Sequence, residues 1–141
     1  MKKKIALLLP LAFGCLSAYA QAVPSSCPGL PADAGLQWET QVGEGFNVCR
    51  AMNANGQQIL GMMFTHKKPG VPLLRNQRQG EGSIGRYDVY WYRPTIADPD
   101  VVEKRVTVLE LEDERYVQVW VEANSTEELQ RSLALMRGIN L

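Results

Sequence analysis

The first twenty residues constrain everything that follows them. Lys2, Lys3 and Lys4 precede an apolar run from Ile5 to Leu16, and Ala18-Tyr19-Ala20 closes the segment with small residues. A positive start, a short greasy stretch and a small-residue site make a secretory signal peptide, which predicts cleavage after Ala20 and a mature chain beginning at Gln21. What remains is 121 residues that must fold in an oxidising compartment, periplasmic or secreted. All three lysines leave with the leader and no acid does, so the formal charge falls from zero to −3. An acidic balance of this kind argues against nucleic acid as a partner, because phosphate binding needs a concentrated basic face.

The apolar run of about a dozen residues is short of the roughly 20 needed to cross a bilayer, and no later stretch exceeds it, so no transmembrane segment is expected. Leu11-Ala12-Phe13-Gly14-Cys15 is a poor copy of a lipobox, with Phe13 where a small residue is usual and Ala12 where leucine is usual. A lipid anchor at Cys15 is therefore the less favoured alternative to cleavage after Ala20. With the leader gone, Cys27 and Cys49 are the two cysteines left, and an even pair in an oxidising compartment predicts one disulfide. Pairing also removes the free thiol that a cysteine nucleophile would need.

Residues 21–35 are rich in Pro, Ser, Ala and Gly without periodicity and read as an extended amino-terminal arm pinned by Cys27. Residues 36–141 read as a single α+β domain. Gln37 to Val42 and Phe46 to Met52 carry strand formers, and Gln58 to Thr65 follows Asn55-Gly56, the sequence of a type I′ hairpin turn. Lys67 to Gly82 is punctuated by Pro69, Gly70, Pro72, Gly80 and Gly82 and predicts a long irregular loop carrying Lys67, Lys68, Arg75 and Arg78. Ile84 to Tyr92 reads as one strand, and Thr95 to Val102, with Asp98-Pro99-Asp100, as a loop. Arg105 to Leu111 and Arg115 to Glu122 alternate around Glu112-Asp113-Glu114 as a second hairpin.

Thr126 to Arg137 has helical period, with Leu129, Leu133 and Met136 on one face and Leu135 at its edge. Ser125 with Glu128 forms a capping box, and Gly138 suits the residue after the last turn. The fold expected is α+β: an antiparallel sheet of five to six strands built from hairpins, with one C-terminal amphipathic helix on one face.

Side chains alternate across a strand, so Val117, Val119 and Val121 belong under the helix while Tyr116, Gln118 and Trp120 point away. Arg86, Asp88, Tyr90 and Tyr92 share one register of their strand. Aligned registers would collect Tyr90, Tyr92, Tyr116 and Trp120 on the face opposite the helix. Aromatics and arginines dominate binding hot spots, but small sheets also cover a second face with an arm or loop, and residues 21–35 are placed to do so. Within the long loop, Leu73 and Leu74 between Arg75, Arg78 and the lysines form an apolar tip of the kind a protein-binding loop presents.

Catalytic chemistry finds little support. His66 is the single histidine, too few for the usual zinc ligand sets, and recurrent Asp/Glu spacing for a cation is lacking, so neither metal nor cofactor is expected. Ser83, His66 and Asp88 can be drawn as a triad, yet no nucleophile elbow surrounds Ser83. Gly80-x-Gly82-x-x-Gly85 matches a dinucleotide-binding string but precedes a strand, where that fingerprint does not work. Glu110 with Glu112, and Asp98 with Asp100, sit among polar neighbours that give no cause for a raised pKa. Asn124-Ser125-Thr126 is a glycosylation sequon by letters and a helix cap by context. Basic residues Lys67, Lys68, Arg75, Arg78, Arg86 and Arg93 bunch in the middle, and acids crowd the last third, an asymmetry able to steer a charged partner. The function expected is a small exported, non-catalytic binding protein whose partner is another protein, of inhibitor or immunity type. The alternative is a cell-wall or small-ligand module using the aromatic sheet face.

Overall fold

The computed structural model of the chain describes residues 27–94 and 100–141. The leader, Cys15, the Ala20 site and the Asp98-Pro99 turn lie outside the described residues. Among the described residues seven strands form one antiparallel sheet: β1 (Gln37–Gly43), β2 (Phe46–Met52), β3 (Gln58–Thr65), β4 (Arg78–Ile84), β5 (Tyr87–Tyr92), β6 (Glu103–Glu110) and β7 (Tyr116–Ala123). One helix, α1 (Thr126–Met136), follows. The strand order is β1-β2-β3-β7-β6-β5-β4, so two meanders, β1 to β3 and β4 to β7, join where β7 pairs with β3. The segment between β3 and β4 must therefore cross from the middle of the sheet to its far edge.

Strand β4 and the β4–β5 hairpin correct the expected count of five to six strands. Ile84 to Tyr92 is two strands and not one, because Gly85 takes a φ of +55° and turns the chain over with Arg86. A positive φ at the first of two loop residues alone is the type II′ pattern, whose twist suits a hairpin. Residues Arg78 to Gly82, read as loop, belong to β4, reached through a single 3₁₀ turn at Arg75–Gln77. Asn55-Gly56 makes a hairpin, but not of type I′. Gly56 alone has positive φ, at +75°. The Gly56 N–H donates to the Asn53 carbonyl at 3.0 Å and the Asn53 N–H to the Gln57 carbonyl at 2.9 Å, which is a three-residue loop with a left-handed last position. The Asn53 side-chain carbonyl accepts from the Asn55 and Gln57 N–H groups and so favours this loop over the tighter one.

The helix covers one face. Val117, Val119 and Val121 are fully buried beneath it with Leu60, Met62, Ile84, Leu129, Met136 and Ile139. Truncating Leu129 or Met136 to alanine in such a core costs about 2–5 kcal/mol. Ser125 caps α1, its Oγ accepting from the Glu128 N–H at 3.1 Å, while the Glu128 carboxylate reaches back to the Asn124 N–H at 2.8 Å. At the other end Arg137 is the cap, and Gly138 is not left-handed: the chain leaves through tight turns in which the Gly138 N–H donates to the Leu135 carbonyl at 3.0 Å.

The β4–β5 turn and the arm before β1 both meet the chain at or just after the end of α1. The Gly85 N–H donates to the Met136 carbonyl at 3.0 Å, and Gly29 pairs with Asn140. Residues 27–35 contain a turn closed by Ala34 N–H to the Pro31 carbonyl at 3.1 Å, and Trp38 Nε1–H donates to the Pro28 carbonyl at 2.7 Å. Cys27 and Cys49 are joined as the sequence predicts, with Cα atoms 5.8 Å apart. Cys49 faces the helix, so this arm lies on the helix side and leaves the second face to other cover.

Candidate functional site

The sheet registers put the aromatic residues singled out above on the face away from the helix. One row runs across all seven strands as Glu39, Arg50, Gly61, Trp120, Val106, Tyr92 and Arg78. Trp120 can lie flat there because its cross-strand partner is Gly61: a Cβ on that residue would run into the indole ring. Tyr116 shares the face, opposite Thr65 and Glu110, away from the other three aromatics.

The crossover after β3 passes over this surface. Val71 joins Met63, Pro94, Lys104, Val106, Gln118 and Trp120 around a depression of about 330 Å³. Leu73 joins Tyr90, Tyr92 and Val108 around a second, also about 330 Å³. Leu73 is thus half-buried against the sheet, whereas Leu74 stays 47 % exposed and Arg75 is exposed beside it. Tyr90 is 41 % exposed and Tyr92 is buried. The structure therefore brings Leu73, Tyr90 and Tyr92 to one place and sets Trp120 in the neighbouring depression.

Arg78 is occupied within the molecule. Its guanidinium stacks 3.8 Å from the Tyr90 ring centroid and 5.6 Å from that of Tyr92, and donates to the Tyr92 hydroxyl at 3.1 Å. It fixes the two tyrosines, whereas Arg75, beside Leu74, faces solvent. Lys104 pairs with Glu122 at 3.4 Å along the other border of the face.

A further surface has no counterpart among the sequence candidates. Val42, Phe46 and Phe64 surround a depression of about 250 Å³ with Thr65, His66 and Arg115 at the β1–β2 end of the sheet. Val42 is 58 % exposed, and the Arg115 guanidinium sits 5.5 Å from the Phe64 ring centroid. The exposed position of Val42 on an edge strand was the available signal, masked by an ordinary strand pattern. Arg115 is held by Asp113 at 2.6 Å, and that contact, chiefly its side-chain hydrogen bond, keeps the Asp113 carboxyl below the usual carboxylate range.

His66 lies exposed just past the end of β3. Ser83 and Asp88 are cross-strand neighbours on β4 and β5, which lie four and three strands from β3, or about 19 and 14 Å at the usual strand spacing. Those three residues do not converge. Among the described residues no group of three or more His, Cys, Asp or Glu side chains is placed to hold a metal ion, and no helix is long and apolar enough to cross a membrane. Comparison with known proteins returns no matching family model, curated protein or solved structure.

Proposed function

We propose that this chain is a small exported, non-catalytic binding protein that engages another protein through the crossover residues Leu73, Leu74 and Arg75 together with Tyr90. The observation that carries the reading is that Leu73 lines the same depression as Tyr90 and Tyr92. A loop tip and an aromatic strand far apart in sequence thus form one surface, with Leu74 and Tyr90 exposed on it. Large apolar side chains beside a free arginine are the composition of an interface centre. Leu74→Glu should leave thermal unfolding nearly unchanged, since that side chain is exposed. A photo-reactive residue at position 74 should form a discrete adduct with one protein of the exported fraction, and the same group at exposed Gln130 should not. Equal labelling from both positions, or none from position 74, refutes the reading.

Export rests on the leader and the disulfide: the Cys27–Cys49 bond is at home in an oxidising compartment. Intact mass of exported protein should place the first residue at Gln21, and a lipid-modified Cys15 would replace that reading with an anchored one. The second function, a cell-wall or small-ligand module, is favoured by Trp120 lying flat on the sheet beside Gln118 and Lys104, an arrangement suited to stacking on a sugar ring. Cosedimentation with purified cell wall, lost in Trp120→Ala, separates it from the first.

A further inference from the structure

We propose that the seam between β5 and β6 is a pocket for one cationic side chain, lysine or arginine, of the protein partner; this rests on the protein-binding reading above. The two strands are paired through Tyr92 and Val106 alone. Continuing that register would set Tyr90 opposite Val108 and Asp88 opposite Glu110. Two carboxylates directly across an antiparallel pair repel, which disfavours closing the ladder there.

The far end of the opening is tied independently. Arg86 on the β4–β5 turn pairs with Glu112 at 3.0 Å, and the Glu112 N–H donates to the Tyr87 hydroxyl at 3.4 Å. Between these two ties lies the depression of about 330 Å³ that Leu73, Tyr90, Tyr92 and Val108 line, with Asp88 and Glu110 on opposite lips. Both carboxylates are on exposed residues, and among the described residues neither has a cationic partner. The nearby guanidiniums are committed elsewhere, Arg78 to the tyrosines and Arg86 to Glu112. Being closed at both ends, the opening admits a side chain and not a strand. An apolar stem would lie on Leu73 and Val108, with the charge between the carboxylates, where its bonds are of the stronger, charge-assisted kind.

The test uses the mature, disulfide-bonded protein and a capped pentapeptide, Thr-Val-Arg-Val-Thr, followed by amide chemical shifts. Shifts should be confined to residues 72–74, 87–92 and 106–110, and the peptides with lysine or glutamine at the centre should bind comparably and about tenfold more weakly, respectively. Asp88→Asn and Glu110→Gln should each lower arginine-peptide affinity by about tenfold without lowering the unfolding midpoint. Asp88→Lys supplies an internal cation, should add exchange protection at the seam and should abolish peptide binding. Equal affinity for the arginine and glutamine peptides, or no shift at the seam with about 10 mM peptide, overturns the proposal. Its failure is distinguishable from failure of the binding reading. An adduct from position 74 that persists in the Asp88→Asn, Glu110→Gln double variant leaves the surface in place and removes the cationic pocket.

Discussion

Replacing Glu114 with glycine should make the protein more stable. Glu114 has a φ of +66°, the one non-glycine residue with positive φ among the described residues. It occupies the last position of the β6–β7 loop, where its N–H donates to the Leu111 carbonyl at 3.0 Å and the Leu111 N–H donates to the Arg115 carbonyl at 2.7 Å. This is the same hydrogen-bond plan as in the β2–β3 loop, where Gly56 holds the equivalent place. A left-handed conformation costs a residue bearing a Cβ about 1–2 kcal/mol. Glycine's extra freedom in the unfolded chain offsets about 0.5–1 kcal/mol of that. Glu114 is exposed and makes no ion pair among the described residues, so its side chain takes little with it. The net gain is then about 0.5–1 kcal/mol, or about 2–5 °C in melting temperature for a chain of this length. Urea unfolding at constant slope reads the difference, and Gly56→Ala provides the mirror-image control with a loss of about 1 kcal/mol. If Glu114→Gly lowers the midpoint, or if Gly56→Ala is neutral, the strain assigned to the shared loop geometry is wrong.

Gly61→Ala, in a central strand, should cost about 1–3 kcal/mol and shift tryptophan emission, because the new Cβ meets the Trp120 ring; an unchanged spectrum would show that the indole does not rest on the sheet. Replacing Cys27 and Cys49 together by serine should lower stability by about 3 kcal/mol for a separation of 22 residues, measured by urea unfolding against the oxidised parent. The Asp113 carboxyl should titrate below its ordinary value by carbon NMR and move back toward it in Arg115→Ala. Since the folded value is the depressed one, the turn's contribution is present above the unfolded pKa and is lost as pH falls through the folded one; an ordinary titration in the parent protein would contradict this.

Strands β2 and β3 were legible to the residue, because both are rich in strand formers between turn signals, with Cys49 and Ala51, and Leu60, Met62 and Phe64, at every second position. Helix α1 was legible through Ser125, whose cap is a local interaction that needs nothing from the rest of the chain. Strand β4 was not, since Arg-Gln-Gly-Glu-Gly offers no alternation to read. What makes it a strand is tertiary: the Trp91 ring of β5 covers the position where a Gly82 side chain would stand. Period-two reasoning placed Tyr90, Tyr92 and Trp120 on one face correctly, as the registers now align them. It could not show that Leu73 meets them, nor that Asp88 and Glu110 line one depression. Both depend on strand order, which sequence neighbours do not encode when a crossover carries the chain to the far edge.

The last strand made is the one at the centre. A polypeptide delivered amino end first completes β1 to β3 and β4 to β6 as two separate half-sheets, each with an open flank, and neither can meet the other until β7 emerges. Joining of the halves is thereby deferred until β7 is available, which makes it a long-range, slow step. The same arrangement makes β7 a single point of failure: a cut that releases it does more than remove one strand, because it unfastens the joint between the halves.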